Sequence, residues 1–339
     1  MSGAEKTTLR HNPLNEVTAT VERITEPDGQ TVIRKEIREP VEFEGPWAGS
    51  NDPRHWNYWR RELEVYRDKE LRDQLDGTGL VLPEAEIEEI DGGAVLYLED
   101  IVGVPGTEFA LEDHAALAKA CGRWQAKPAV EVPWTSNGFI RDYSTSRVVP
   151  WELLDDDAAW QQPLIVDNWP DGLRSAWSSL VAHRDELLTI VEMLPRARCH
   201  LDFWVCNAIR RPTGEIALLD WAFTGDGAHG EDIGNHIPDA TLDLFWPAER
   251  LPELAETCIG NYLEGLREGG WRGEPDQVRL AVLASAVKYA WLLPALLARA
   301  AEPSHQAYHQ QADSQHLFHQ RGIALKYLAD SCAEALATR

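Results

Sequence analysis

The sequence is short of four things, and each shortage removes a class of protein. It has five cysteines, an odd number, scattered at 121, 199, 206, 258 and 332 with no C-x-x-C pair. That argues against a disulfide framework and a structural zinc site, and for reduced thiols. Basic residues are scarce. Lys and Arg number 32 against 56 Asp and Glu, a formal net charge of −24, so the surface repels nucleic acid and anionic membranes. The opening "MSGAEKTTLRHNPLNE" lacks the apolar core of a secretory signal. The most apolar stretch, Val278–Ala300, is interrupted by Lys288 and Pro294 and reads as a buried helix rather than a membrane span. The expected location is the cytoplasm. Glycine-rich phosphate loops are missing too, since "TATVERITEPDGQT" offers Gly29 alone.

The 339 residues exceed a comfortable single core, so two lobes are the default. Hydrophobic content of 44% and 26% charged residues fit an ordinary globular chain. The pattern changes character near residue 102. Before it, "EVTATVERI" and "TVIRKEI" alternate with period two across a Pro-Asp-Gly turn, and "AEIEEI" and "AVLYLEDI" form a second hairpin. Between the hairpins, Asn51 or Asp52 with Pro53 opens a helix predicted over 54–75, with Trp56, Trp59, Leu63 and Tyr66 on one stripe. After "VGVPG" the chain reads as helical, with helices over 111–127, 171–193, 248–268, 276–301 and 311–337. The expected architecture is α+β, with a small β-rich lobe (1–102) and a larger, mostly helical lobe (103–339).

One β-like island interrupts the helices. "FWVCNAIRR" and "EIALLDW" flank Pro212-Thr213-Gly214 as a hairpin. Antiparallel pairing brings the start of its first strand, Asn207, beside the end of its second, Asp220. Asp202 and His200 lie in the loop that enters it. Two hard oxygen donors beside a free carboxylate suit Mg2+ and phosphoryl transfer, which needs a metal on phosphate oxygens and a carboxylate for the attacking hydroxyl. His200 and Asp202 as ligands of a hydrolytic metal form a competing reading, which would require more histidines at ligand spacing nearby.

The run "HLDFWVCN" followed by "LLDW" and "GDGAHGEDIGN" resembles the aminoglycoside phosphotransferase and choline kinase-like family, a branch of the protein-kinase fold. That pattern is H-x-D-x-x-x-x-N, a strand ending in Asp-Trp, a glycine-containing loop and a later Asp. The resemblance implies Asp202 as catalytic base, His200 as a brace within the loop, and Asn207 and Asp220 as Mg2+ ligands. It implies Asp232 as a buried support of the catalytic loop. In the first lobe it implies Lys35, or its neighbour Arg34, on the nucleotide phosphates, with Glu62 as partner. Backbone groups from Glu99 to Ile101 would read the base of ATP or GTP. The implied activity is transfer of a γ-phosphate to a hydroxyl of an antibiotic or related small molecule, with a metabolite kinase (choline, sugar or amino-alcohol) or a nucleotide-binding protein without turnover as alternatives. Acidity at Glu231, Asp232, Asp239 and Asp243 suggests an amine-bearing acceptor, with Asp239 and Asp243 as its counter-charges. The histidine pairs His305/His309 and His316/His319 read as hydrogen-bonded or exposed rather than metal-binding.

Overall fold

The computed structural model describes residues 5–12, 15–41, 45–308 and 311–338. The first lobe is a sheet built from β1 (Glu5–Thr8), β2 (Thr18–Thr25), β3 (Thr31–Arg38), β5 (Ala85–Ile90) and β6 (Gly93–Glu99), in the order β1-β2-β3-β6-β5. All its pairings are antiparallel, and both expected hairpins are present. Period-two alternation puts Ile33, Lys35 and Ile37 on one face of β3 and Arg34, Glu36 and Arg38 on the other. The outer set forms its own ion-pair ladder, Arg34 to Glu36 at 2.7 Å and Arg38 to Glu36 at 2.6 Å.

The helix expected over 54–75 differs. Pro53 to Arg60 form turns, and helix begins only at Arg61 and runs Arg61–Arg67, then Lys69–Leu75. The cause is side-chain competition for the backbone. The Arg61 guanidinium takes the carbonyls of Pro53, His55 and Trp56 at 2.6–2.9 Å, and Trp59 Nε1 donates to Asn51 at 2.7 Å. Carbonyls claimed this way are lost to an i→i+4 ladder. Asp68 then divides the two helices by capping the second, accepting from the Glu70 and Leu71 N–H groups.

A short connector after Glu99 leads to a second sheet. Strand β4 (Leu80–Val81), β7 (Val104–Pro105), β9 (Ala208–Arg210) and β10 (Ile216–Leu218) align in the order β4-β10-β9-β7. The hairpin island is therefore real but shorter than its apolar runs. Phe203 to Asn207 form loop and a 3-10 turn, and only Ala208–Arg210 pairs with Ile216–Leu218. Part of the glycine-containing loop is strand as well. Gly225–Ala228 (β11) pairs with Arg196–Cys199 (β8). A Cβ at Gly225 would meet Ser136 Oγ at 1.9 Å, so only glycine lets this segment cross there.

The rest is helical around a core that includes the fully buried Trp124, Trp177 and Trp221. The expected helix over 171–193 breaks at His183 into Leu173–Ala182 and Arg184–Met193. The last helix is Ser314–Thr338, and 248–268 matches Leu251–Glu268 after a 3-10 turn. The apolar stretch Pro275–Arg299 is long and apolar enough to cross a membrane, yet 72% of its most apolar 18-residue window is buried. It is also not one continuous α-helix. Pro275–Ala284 passes into a 3-10 turn, Ser285–Tyr289, before Leu292–Arg299. Ser285 Oγ donates to the Ala281 carbonyl at 2.7 Å, a bond known to bend helices. That turn carries Lys288 inward.

Candidate active site

The loop His200–Asn207 is held from below by one buried carboxylate. Asp232, in the first turn of the Glu231–Leu242 helix, accepts the N–H groups of His200 and Leu201, each at 2.8 Å, and the Gln125 amide at 2.7 Å. Burial pushes its carboxyl up to about 6 even against those three donors. Leu201 is thereby fixed at φ 65°, a left-handed conformation costly for a branched side chain. His200 packs edge-on to Trp221 at 4.6 Å, and its Nε2 lies 3.0 Å from the Leu219 carbonyl. Burial lowers the ring to about 4, so it is neutral. It ties the loop to the strand that ends in Asp220.

Above this base the functional side chains converge. Asn207 Nδ2 donates to Asp202 Oδ2 at 2.9 Å and to the Asp202 carbonyl at 3.0 Å. The Leu219 N–H donates to the Asn207 carbonyl at 2.8 Å. The pairing expected from the hairpin thus places Asn207 beside the Leu219–Asp220 strand end. Asp220 sits at φ 55°. Two of the three non-glycine residues with positive φ, among the described residues, therefore belong to this site. Asp202 is half-buried and close to Asp220, and desolvation and that neighbouring charge both raise its carboxyl, to about 7.

From the first lobe, Lys35 reaches the same point. Its Nζ lies 2.7 Å from Glu62 and 2.9 Å from Asp220 Oδ1. Burial works against the ammonium, but the two carboxylates hold it well above the usual lysine range. Burial raises Glu62 to about 6, while Lys35 keeps Asp220 below the carboxylate norm against its own burial. Arg34 faces away, so of the two candidates Lys35 is the one aimed at the site. Arg61, next to Glu62, was not visible as a site residue in the sequence. It is fully buried, donates to five carbonyls including Ala222 at 3.1 Å, and so couples the Glu62 helix to the residues after Asp220. Desolvation lowers it to about 9.

The donor set fits a hard cation. The Asn207 side-chain nitrogen is turned to Asp202, which leaves the side-chain oxygen Oδ1 available, and Lys35 engages one oxygen of Asp220. Two oxygen donors from rigid backbone positions are what Mg2+ takes from a protein while sharing its shell with phosphate. Among the described residues, no cluster of three or more His, Cys, Asp or Glu could hold a metal. The competing hydrolytic reading needed such a cluster. His305 is buried between Ser314 and the Arg299 carbonyl, while His309 lies outside the described residues.

Glu99 and Ile101 stand where the connector leaves the first sheet. The connector is pinned by Arg23 to Asp100 at 2.6 Å and Arg211 to Glu99 at 2.6 Å. The acidic run is less open than its sequence suggests. Glu231 is 1% exposed and accepts the Ala228 N–H at 2.9 Å, and Asp232 is the buried support. Asp243 is taken by Arg321 at 3.1 Å and the Tyr308 N–H at 3.0 Å. Only Asp239 stays near the site, raised by burial to about 6.

With this geometry in place, three solved structures match over nearly the whole chain. The amicoumacin kinase hAmiN, in complex with AMP-PNP, Ca2+ and Ami, superposes with a TM-score of 0.56 at 15% identity, covering 96% of this chain and 88% of that one. This is the two-lobed kinase fold. The choline kinase LicA from Streptococcus pneumoniae matches with a TM-score of 0.50 at 16% identity (96% and 93% covered), and spectinomycin phosphotransferase in complex with ADP and spectinomycin with 0.50 at 12% (98% and 92%). No protein-family model and no curated protein sequence matches the chain. The kinase-like α+β architecture expected from the sequence is thus the observed one.

Proposed function

We propose that this chain is a small-molecule O-phosphotransferase that moves the γ-phosphate of ATP or GTP to an acceptor hydroxyl. The observation that carries the reading is the bridge of Lys35 between Glu62 and Asp220, set against the Asn207–Asp202 pair. Kinases of this fold need those groups together, and here four separate chain segments deliver them. The solved structures with this fold include proteins named as kinases of amicoumacin, spectinomycin and choline, which favours a hydroxylated small molecule as acceptor.

In this reading Asp202 accepts the hydroxyl proton as the acceptor oxygen bonds to the γ-phosphorus and the bond to the β–γ bridging oxygen breaks. The nucleoside diphosphate leaves with that electron pair. Asn207 orients Asp202 through its amide nitrogen. Asn207 and Asp220 would hold Mg2+, which neutralises charge on the phosphate oxygens. Lys35 binds the α- and β-phosphates, Glu62 fixes Lys35, and backbone groups near Glu99 to Ile101 meet the base. Asp232 and His200 keep the loop in its left-handed turn.

The test is nucleotide-induced thermal stabilisation with and without Mg2+. Wild-type protein should gain stability from Mg·nucleotide, and Asp220→Ala should lose the Mg2+-dependent part. Unchanged Mg·nucleotide affinity in Asp220→Ala would sink the assignment.

A further inference from the structure

A second group of charges lies beside the Asp202 loop, and it is built differently from the first. Lys288 is 5% exposed on the 3-10 turn Ser285–Tyr289. Among the described residues its one hydrogen bond goes to the Leu201 carbonyl at 3.5 Å, the outer limit of such a bond. Otherwise it faces the rings of Tyr143, Phe139 and Tyr289 at 5.0, 5.5 and 5.8 Å. Arg147, just past the Phe139–Thr145 helix, stacks on Tyr143 at 4.1 Å and Trp291 at 4.3 Å. Its guanidinium donates only to the Tyr143 carbonyl and hydroxyl. The two charges lie 5.0 and 4.1 Å from one ring centroid, hence no more than about 9 Å apart. The indole N–H of Trp291 is buried there without an acceptor.

Among the described residues, neither cation forms an ion pair. That is unusual in a chain where acids outnumber bases 56 to 32. A buried ammonium normally needs a paired charge, and ring faces offset only part of its lost hydration. Asp202, Asp239, Glu231 and Asp232 feel the field of Lys288 without reaching it as ion-pair partners. Aromatic rings rather than carboxylates are the near neighbours of both cations, and the Lys288 ammonium faces Leu201 in the loop that carries Asp202. A cationic acceptor reaching Asp202 would approach the Lys288 ammonium, with Arg147 within about 9 Å of it, whereas an anionic one would find two cations without an ion-pair partner.

We infer that Lys288 and Arg147 form an anion-binding subsite, and that the acceptor carries a carboxylate near the hydroxyl it presents to Asp202. This rests on the phosphotransferase reading and reverses the amine-bearing acceptor suggested by net charge. Specificity follows from repulsion as much as attraction, because an amine is rejected where an acid is held.

The probes are matched sets: gluconate, glucose and glucamine, and 4-(hydroxymethyl)benzoate with its amide and its benzylamine analogue. Thermal stability is recorded with and without Mg·AMP-PNP, and kcat/KM with Mg·ATP. The carboxylate of each set should stabilise the protein most. Where turnover occurs, it should be preferred over the amide by ~10–100-fold, the range of a hydrogen bond to a charged group. Arg147→Met should remove the preference while the stabilisation by Mg·AMP-PNP alone stays as in wild type. Lys288→Met should do the same, and Arg147→Met decides the matter should Lys288→Met fail to fold. Equal responses to acid, amide and amine, or a best response to amines, would overturn the subsite. So would weaker binding of Mg·ATP but not Mg·ADP in both variants, because the cations would then hold the γ-phosphate. Absence of any Mg·nucleotide stabilisation in wild type would instead overturn the phosphotransferase reading, with the carboxylate preference still readable without nucleotide.

Discussion

Lys35 and Lys288 are two buried lysines beside the cluster of Asp202, Asn207 and Asp220, 6% and 5% exposed. Lys35 stands between two carboxylates at 2.7 and 2.9 Å. Lys288 has a carbonyl at 3.5 Å and three aromatic rings. The first is a self-contained ion network, able to exist before any ligand arrives. The second has met its desolvation with soft partners, and the carboxylates around it, Asp202, Glu231, Asp232 and Asp239, act on it only at longer range. In the proposed reading the nucleotide side is therefore preorganised by the protein, and the acceptor side is where a ligand's charge has most to contribute.

The largest expected effect lies between the two lysines. Asp202→Asn should lower kcat by ~10²–10⁴-fold, the range for a positioned general base, with Mg·nucleotide binding nearly intact. Retained full turnover would remove Asp202 from the chemistry. The next variant breaks the completed network. Lys35→Met leaves Glu62, 3% exposed on its side chain, without its counter-charge. Loss of one member of a buried pair costs ~3–5 kcal/mol, which urea unfolding would register. Lys288→Met is the matched experiment. It strands no ion-paired carboxylate, so its stability cost should be under ~1.5 kcal/mol, as for a shape-conserving swap in a core. Equal costs for the two lysines would erase the contrast.

A smaller effect concerns pH. Burial raises Glu231 from 4.5 to about 7, so the folded chain binds this proton more tightly than the unfolded one. Stability then falls as pH rises from about 4.5 to about 7, because the unfolded state releases the proton first. Glu231→Gln keeps the shape and removes the titration. Its stability, followed by thermal unfolding across that window, should decline less steeply than that of wild type. An identical slope would show that Glu231 does not contribute.

The block from His200 to Asp232 was legible because its logic is local. A hairpin forces Asn207 and Asp220 together whatever surrounds it, and spacing alone brings Asp202 into the same loop. Lys35 was legible through strand alternation, with Arg34 excluded only once its partners Glu22 and Glu36 were seen across the outer face. The helix over 54–75 was misread because Arg61 takes the carbonyls its first turns would need. Periodicity cannot report a side chain that competes with the backbone. The acidic run after the hairpin is less open than its composition suggests, for a related reason. Composition counts charges but does not tell a solvent-facing carboxylate from Asp243, whose partner Arg321 is 78 residues away.

By itself the sequence determined the two-part order of strands then helices, the hairpin after Asp202 and the residues at its ends. Each follows from interactions a few residues apart, where spacing dictates geometry. Only the tertiary structure decided that Gln125 joins Asp232 from 107 positions away, that Arg61 couples the Glu62 helix to Ala222, and that Lys288 and Arg147 share the ring of Tyr143. Those contacts depend on how whole elements pack, and a 3-10 break within an apolar helix was enough to turn Lys288 inward. Charge buried by packing carries no signature in sequence, because the same residue is solvated on one side of a helix and isolated on the other.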